Sequence, residues 1–292
     1  MNKINEVLTQ YNCNLNDTQV AETVKEILAA KLEENKNEAV YKTCFNCIDL
    51  TSLNATDTYE GITAMMEKVN SFKNDFPEMP LVGAVCVYPS MVETTKNTLK
   101  ENIGIASVSA GFPSSQTFLE VKVAETAMCV LEGATEIDIV ISIGKFFSKD
   151  YQTVAEEISE IKTACRNAHL KVILETGALK TARDIKIASI ISMEAGGDFI
   201  KTSTGKMEPA ATLEAAYVMC QAIKDFYKKT GKKIGFKPAG GIVTTEDACK
   251  YYTIVKEVLG NEWLNNELFR IGASRLANNL LTSIYGKEIV YF

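Results

Sequence analysis

A chain of 292 residues with 46% hydrophobic and 23% charged side chains is long and apolar enough to bury a full-sized core, which excludes disorder as its main state. Its net charge of −6, with no dense Lys/Arg stripe, excludes a nucleic-acid footprint or an anionic-membrane surface and leaves room only for a basic pocket that takes a small anion. No apolar run approaches the ~20 residues that span a bilayer, and the opening MNKINEVLTQ has neither an apolar secretion core nor an Arg-rich transit character, so the cytoplasm is the expected compartment.

Residues 1–40 carry no strand pattern. The run DTQVAETVKEILAAKLEE reads as a helix with Asp17 as N-cap, and this segment is expected to be a helical extension covering one end of the fold. From about residue 40 onward, short β-branched runs alternate with amphipathic stretches. The strand candidates are TCFNCIDL, LVGAVCVY, GIASVSA, EIDIVIS, KVILET, DFIKTST, KIGFKPA and FRIGAS. Helical patterns between them include Phe118 to Leu131 and Val154 to Cys165. Strand then helix, repeated about eight times with several strands apolar on both faces, is the pattern of parallel βαβ units. Eight such units in ~250 residues point to an α/β fold of the closed TIM (β/α)8 barrel type. No strand leads through G-x-G-x-x-G into a helix, as an open dinucleotide-binding sheet would require. No low-complexity linker interrupts the pattern, so residues 1–292 are expected to form one barrel domain with residues 1–40 as its helical N-terminal extension.

Eight cysteines, Cys13, Cys44, Cys47, Cys86, Cys129, Cys165, Cys220 and Cys249, sit mostly in apolar runs of a chain too long to need a disulfide scaffold, and are expected to be reduced and buried. Cys44 and Cys47 match C-x-x-C, but on a strand that spacing points the sulfurs to opposite faces. With no second pair and a single histidine, His169, core packing is a better reading than a zinc site. A Ser-His-Asp or Cys-His nucleophile would have to use His169, which reads as a surface loop residue before a strand. No metal or cofactor is expected, and enzymatic acid–base chemistry must run on Lys, Asp, Glu or Tyr.

In barrels of this type chemistry sits at the C-terminal ends of the strands. That selects Lys201 in DFIKTSTGK, Lys237 in GFKPAGG, Asp138 in EIDIVIS and Asp49 in CIDLTSL. A strand lysine is costly to bury as a cation, and with a charged Lys237 beside it Lys201 can hold a free amine near neutral pH. That is what Schiff-base formation with a carbonyl compound requires. The bland alternative is that both ammonium groups snorkel to the barrel mouth and pair with carboxylates. Asp138 reads as a buried counter-ion, as a proton shuttle for cleavage through an imine, or as both. TSTGK is not a nucleotide-binding P-loop, because Ile200 stands where the leading glycine belongs and Met207 where Ser or Thr is needed. Gly240 and Gly241 of PAGG, and Gly272 and Ser274 of the final GAS turn, read as backbone that approaches an anion or as ordinary turns into helices.

IDLTSLNATDT, AVCVYPSMV, EIDIVIS, KVILETGAL, DFIKTSTGK, GFKPAGGI and FRIGAS, in that order, resemble the deoxyribose-phosphate aldolase family over about residues 44–285. KTSTGK followed by FKPAGG is the most specific part. The resemblance implies a class I, metal-free aldolase, a carbon–carbon lyase on a TIM barrel that reversibly cleaves 2-deoxy-D-ribose 5-phosphate to D-glyceraldehyde 3-phosphate and acetaldehyde. It implies Lys201 as the Schiff-base lysine, Asp138 as the proton shuttle and Lys237 as the second lysine that tunes its neighbour. Asp49, Thr51, Cys86, Thr204 and Lys206 match positions that line the family's pocket, and Gly205 joins the phosphate-binding turns. The implied partners are a small sugar phosphate and acetaldehyde, with no nucleic acid or membrane; a homodimer is left open.

Val243 stands where Arg often follows the PAGG turn, and Arg275 where a second Ser commonly follows GAS. Arg275 is expected either to supply the phosphate-binding charge that Val243 cannot, or to face solvent as an ordinary helix residue. GFPSS, from Gly111 to Ser115, lacks the histidine of the usual turn, and the sequence given closes on Tyr291-Phe292 where some members use a terminal tyrosine to assist proton transfer. Tyr291 in that role and a frayed tail are the two expectations there. Two rivals stand beside the aldolase reading: a Schiff-base aldolase of the same fold with a different or unphosphorylated acceptor, and a non-catalytic barrel that binds sugar phosphates.

Overall fold

A computed structural model describes residues 3–292. Helices α1 (Lys3–Leu8), α2 (Asp17–Lys31) and α3 (Glu38–Asn46) precede strand β1 (Ile48–Thr51). The next units are α4 (Tyr59–Asp75), β2 (Ala84–Val87), α5 (Val92–Thr98), β3 (Gly104–Val108), α6 (Leu119–Leu131) and β4 (Glu136–Val140). Then follow α7 (Ile143–Phe147), α8 (Tyr151–Cys165), β5 (His169–Ile173), α9 (Thr176–Leu179), α10 (Ala182–Glu194) and β6 (Phe199–Lys201). The last are α11 (Leu213–Thr230), β7 (Gly235–Lys237), α12 (Thr245–Leu259), β8 (Ile271–Ala273) and α13 (Leu276–Tyr285).

All strand pairs are parallel, in the order β7-β6-β5-β4-β3-β2-β1-β8. Bridges from Phe236 to Phe269 and from Ala239 to Gly272 bring β7 against β8, completing the expected (β/α)8 barrel. Side chains alternate along each strand. Ile137, Ile139, Val172, Ile200 and Phe236 are fully buried members of the apolar layer between strands and helices. The intervening Asp138, Lys171, Lys201 and Lys237 point to the barrel axis, where they meet one another. Register places them side by side, with Asp138 opposite Lys171 and Lys201 opposite Lys237.

The first strand is shorter than TCFNCIDL suggests. Val40, Cys44 and Phe45 are spaced to bury one face of α3, so Cys44 lies on a helix and Cys47 caps its C-terminal end. The N-cap of α2 is Asn16, whose side chain accepts from Gln19 N at 3.0 Å. Asp17 opens the helix instead, and its carboxylate accepts from Ala182 N at 2.7 Å, at the start of α10. In the N-terminal extension, α2 packs along α11 and α12 and α1 against α8 and α10, with Val20, Val24 and Ile4 buried.

The C-terminal residues are docked, not frayed. Asn278 Oδ1 accepts from the backbone N of Tyr291 and Phe292 at 2.9 and 3.0 Å. Both aromatic rings pack on Phe72 of α4. The Tyr291 hydroxyl donates to the Lys68 carbonyl at 3.0 Å, so in this conformation it is committed to α4.

Candidate active site

Asp138 sits at the centre of the barrel with three lysines around it. Lys201 Nζ and Lys237 Nζ both donate to Asp138 Oδ2, at 2.8 and 2.7 Å, and Lys171 Nζ donates to Oδ1 at 3.0 Å. Lys237 also pairs with Asp49. Lys171 lies 2.5 Å from Glu136 and 3.4 Å from Asp49, and Arg270 bridges Asp49 at 2.7 Å and Glu136 at 2.8 Å. Every member of this network is buried. Gly272 lets the Lys237 stem pass: a Cβ there would lie 3.3 Å from Lys237 Cε and 2.8 Å from Ala239 Cβ.

Four cations thus face three carboxylates in the buried interior of the barrel. One surplus buried charge is expensive, and the cheapest remedy is for one lysine to release its proton. The local fields choose Lys201. Burial lowers its pKa, the Lys237 ammonium lowers it further, and Asp138 offsets only part of this. Burial would also lower Lys237 and Lys171, but the carboxylates around each outweigh it and hold both above the ordinary lysine value. Asp138 is held well below the usual carboxylate range, because Lys171, Lys201 and Lys237 together outweigh its burial. One amine poised to be free beside two held as cations is the asymmetry that a nucleophilic lysine needs.

Replacing Lys237 by Leu removes a cation that lowers the Lys201 pKa and leaves Asp138, which raises it. The alkaline-going limb of the rate profile is therefore expected to move to higher pH, with a lower rate at neutral pH. A profile that stays in place would assign the tuning to burial alone.

Lys201 forms the floor of a cleft of about 600 Å³ at the C-terminal ends of the strands. Its walls include Thr51, Thr204, Gly205, Lys206, Gly240, Gly241, Gly272, Ser274 and Arg275. Of the residues selected from the sequence, Asp49, Cys86, Asp138 and Lys237 do not line this cleft; they lie beneath it, fully buried. Cys86 is close enough to Lys237 and Lys201 to feel their charge, yet burial keeps its thiol pKa raised. Thr204 is fixed by Glu175, which accepts from its hydroxyl at 2.5 Å and its amide at 3.2 Å. The Lys206 ammonium reaches across to the Leu53 carbonyl. Gly205, Gly240 and Gly241 have φ of +76°, +85° and +77°, a region open to glycine, and a Cβ on Gly240 would strike Ala210 Cβ at 2.6 Å. Arg275 occupies the cap position of α13, exposed, with no carboxylate within 4.0 Å among the described residues.

Sequence reasoning missed Glu136, Lys171, Arg270 and Glu175. The first three had a signal. Glu136 stands two residues before Asp138 and so shares its face of β4, while Lys171 and Arg270 are single charges in the apolar runs HLKVI and FRIGA. Glu175 gave none, because its role depends on a left-handed backbone (φ +56°) at the end of β5. No group of three or more His, Cys, Asp or Glu among the described residues is placed to hold a metal ion.

The chain is 45% identical over 249 residues to the deoxyribose-phosphate aldolase of Homo sapiens, covering 82% of this chain and 78% of that one. It is 42% identical, with the same coverages, to that of Mus musculus. A solved deoxyribose phosphate aldolase from Aeropyrum pernix shares the fold with a TM-score of 0.67, at 23% identity over 88% of this chain and 97% of the other. Residues 43–255, which contain Asp49, Asp138, Lys171, Lys201 and Lys237, match the DeoC/LacD family aldolase model. The chain belongs to the DeoC/LacD family of aldolases.

Proposed function

We propose that the protein is a class I deoxyribose-phosphate aldolase, reversibly cleaving 2-deoxy-D-ribose 5-phosphate to D-glyceraldehyde 3-phosphate and acetaldehyde. The observation that carries this reading is the Lys201 amine at the cleft floor, sharing one oxygen of Asp138 with the cationic Lys237. The neutral amine of Lys201 adds to C1 of the open-chain sugar, and loss of water gives a protonated imine. Removal of the C3 hydroxyl proton then breaks C2–C3, releasing glyceraldehyde 3-phosphate and leaving the electron pair in an enamine. Protonation at C2 and hydrolysis release acetaldehyde and restore the amine.

Asp138 lies under Lys201 and does not reach the cleft, so its part is to exchange protons with the Lys201 nitrogen and with water entering beside it. Lys237 and Lys171 keep it ionised for that role. Thr51, Thr204 and Lys206 are assigned to the sugar, and the loops after β7 and β8 to its phosphate. Asp49 and Cys86 act from beneath the floor, through Lys237, and not as substrate contacts. Trapping with acetaldehyde and borohydride, followed by mass spectrometry, tests the reading: the reduced adduct is expected on Lys201, and its absence, or an adduct on another lysine, would overturn it.

The phosphate assignment makes a separate claim about Arg275. Backbone N–H groups at the start of α13 already favour an anion, and a guanidinium there adds a charged hydrogen bond of ~1.5–3 kcal/mol. Arg275→Ser is expected to raise KM for the phosphorylated sugar roughly ten- to a hundredfold and to leave plain deoxyribose unaffected. Equal effects on both sugars would return Arg275 to the solvent.

Turnover is also expected to survive exhaustive chelation unchanged, since each step above runs on lysine and aspartate. A loss restored by zinc or magnesium would place the chemistry in another aldolase class. Cysteines present as free thiols, seven of them buried, favour a reducing compartment, the cytoplasm. No helix among the described residues is long and apolar enough to cross a membrane. Residues 1–292 are taken as one barrel unit, with residues 1–40 its extension.

A further inference from the structure

Glu175 carries two costly features at one position. Its carboxylate is 2% exposed, and no cationic side chain lies within 4.0 Å of it among the described residues. Its backbone is left-handed, with φ +56° and ψ +61°, which a residue with a Cβ adopts only where its surroundings impose it. The flanks do so here. Leu174 N donates to the Lys201 carbonyl and Thr176 N to the Thr202 carbonyl, both at 2.9 Å, so the chain on either side of Glu175 is pinned to the end of β6. Packing alone would not choose a buried carboxylate on a strained backbone.

What the carboxylate holds is Thr204. The hydroxyl of a threonine has one proton and two lone pairs. Here the proton goes to Glu175 Oε2 at 2.5 Å, the length of a charge-assisted O–H···O⁻ bond, while Oε1 accepts from Thr204 N. One lone pair accepts from Lys206 N at 3.0 Å. Thr204 lines the cleft, and all its hydroxyl has left to offer there is the second lone pair.

We propose that Glu175 is a positioning residue that sets specificity: by taking the only proton of the Thr204 hydroxyl it makes that group an obligate hydrogen-bond acceptor, which selects a substrate with a hydroxyl donor at that point. The inference rests on the aldolase reading above. Deoxyribose 5-phosphate has two hydroxyls between the imine carbon and the phosphate. The C3 oxygen gathers negative charge as its proton leaves, and a lone pair facing it would oppose cleavage. The C4 hydroxyl keeps its proton throughout, so an acceptor-only Thr204 serves C4, which becomes C2 of the released glyceraldehyde 3-phosphate. Its place in the chain agrees: Thr204 stands between Lys201 and Gly205, the imine end and the start of the phosphate turns.

The test runs the reaction in the direction of synthesis, adding acetaldehyde to glyceraldehyde 3-phosphate or to its 2-fluoro analogue, in which fluorine can accept but not donate. Comparing variants by the ratio of kcat/KM for the two aldehydes cancels their intrinsic reactivity. In E175Q the amide oxygen still accepts from Thr204 N, but the amide nitrogen donates to Oγ1, so the hydroxyl proton turns into the cleft. The preference for the hydroxyl aldehyde is expected to fall roughly tenfold or more, through KM, while trapping of acetaldehyde on Lys201 persists because acetaldehyde has no hydroxyl to read. T204S should keep the parent's preference, T204V should lose it, and E175Q added to T204V should shift it no further. A preference unchanged in E175Q, one that survives T204V, or a further shift in the double variant would overturn the proposal, and the T204V arm decides alone if E175Q does not fold. Failure of the parent itself to trap acetaldehyde would defeat the aldolase reading instead.

Discussion

Replacing Lys201 by leucine is expected to abolish turnover, by on the order of a million-fold or to the limit of detection, while the protein stays folded. Loss of a covalent nucleophile removes the intermediate through which every step passes, and losses of that size accompany removal of a catalytic nucleophile elsewhere. The more informative half of the prediction concerns stability. If Lys201 is neutral in the resting protein, leucine replaces an uncharged side chain by a shorter apolar one and leaves the charge balance unchanged. The network then keeps three cations, Lys171, Lys237 and Arg270, against three carboxylates, Asp49, Glu136 and Asp138. The thermal midpoint should move by no more than a few degrees. A collapse of stability would mean that Lys201 is held as a cation and balances Asp138, which contradicts the nucleophile assignment. Residual turnover with a borohydride-reducible adduct would do the same from the chemical side.

The barrel was legible because parallel strands between helices are apolar on both faces, so each of the eight β-branched runs announced itself. The boundary before β1 shows where that signal fails. Cys44, Phe45 and Cys47 are as apolar as strand residues, but Asn37 caps a helix through Val40 N at 3.1 Å and carries it up to the strand. Lys201, Lys237 and Asp138 stood out because a charge in a buried run has few structural uses. What the sequence could not convey was depth. Asp49 and Cys86 look like pocket residues, yet both lie under the floor, because which layer of a barrel a strand residue joins is set by the stagger between strands. The same ignorance hid Arg270, which reaches Asp49 and Glu136 from a position just before β8. The tail was illegible for another reason: Asn278, on α13, supplies the acceptor that holds Tyr291 and Phe292, and nothing near residue 291 predicts it.

Asp138→Asn separates the proton-moving role of this carboxylate from its role as a counter-ion. The amide preserves shape and can still accept one hydrogen bond, but with Lys201 neutral three cations, Lys171, Lys237 and Arg270, then face two carboxylates, Asp49 and Glu136, in the barrel interior. Removing one partner of a buried ion pair costs about 3–5 kcal/mol, and the lower end is expected here because Lys171 and Lys237 retain Asp49. At roughly 2–4 °C per kcal/mol for a chain of this size, the thermal midpoint should fall by about 6–12 °C. The effect on Lys201 has the opposite sign from that of Lys237→Leu. Asp138 is the chief influence raising the Lys201 pKa, so its loss lowers that pKa further and leaves more free amine at neutral pH. Imine trapping with acetaldehyde should therefore persist in Asp138→Asn and extend to lower pH. Turnover should nevertheless fall by about 10²–10⁴-fold, the worth of a positioned acid–base group, because the imine forms but protons no longer move on and off it at the needed rate. Trapping that survives while turnover collapses identifies Asp138 as a mover of protons. If turnover per folded molecule stays near the parent value, Asp138 is a counter-ion only, and the proton path must run through Lys237 or solvent.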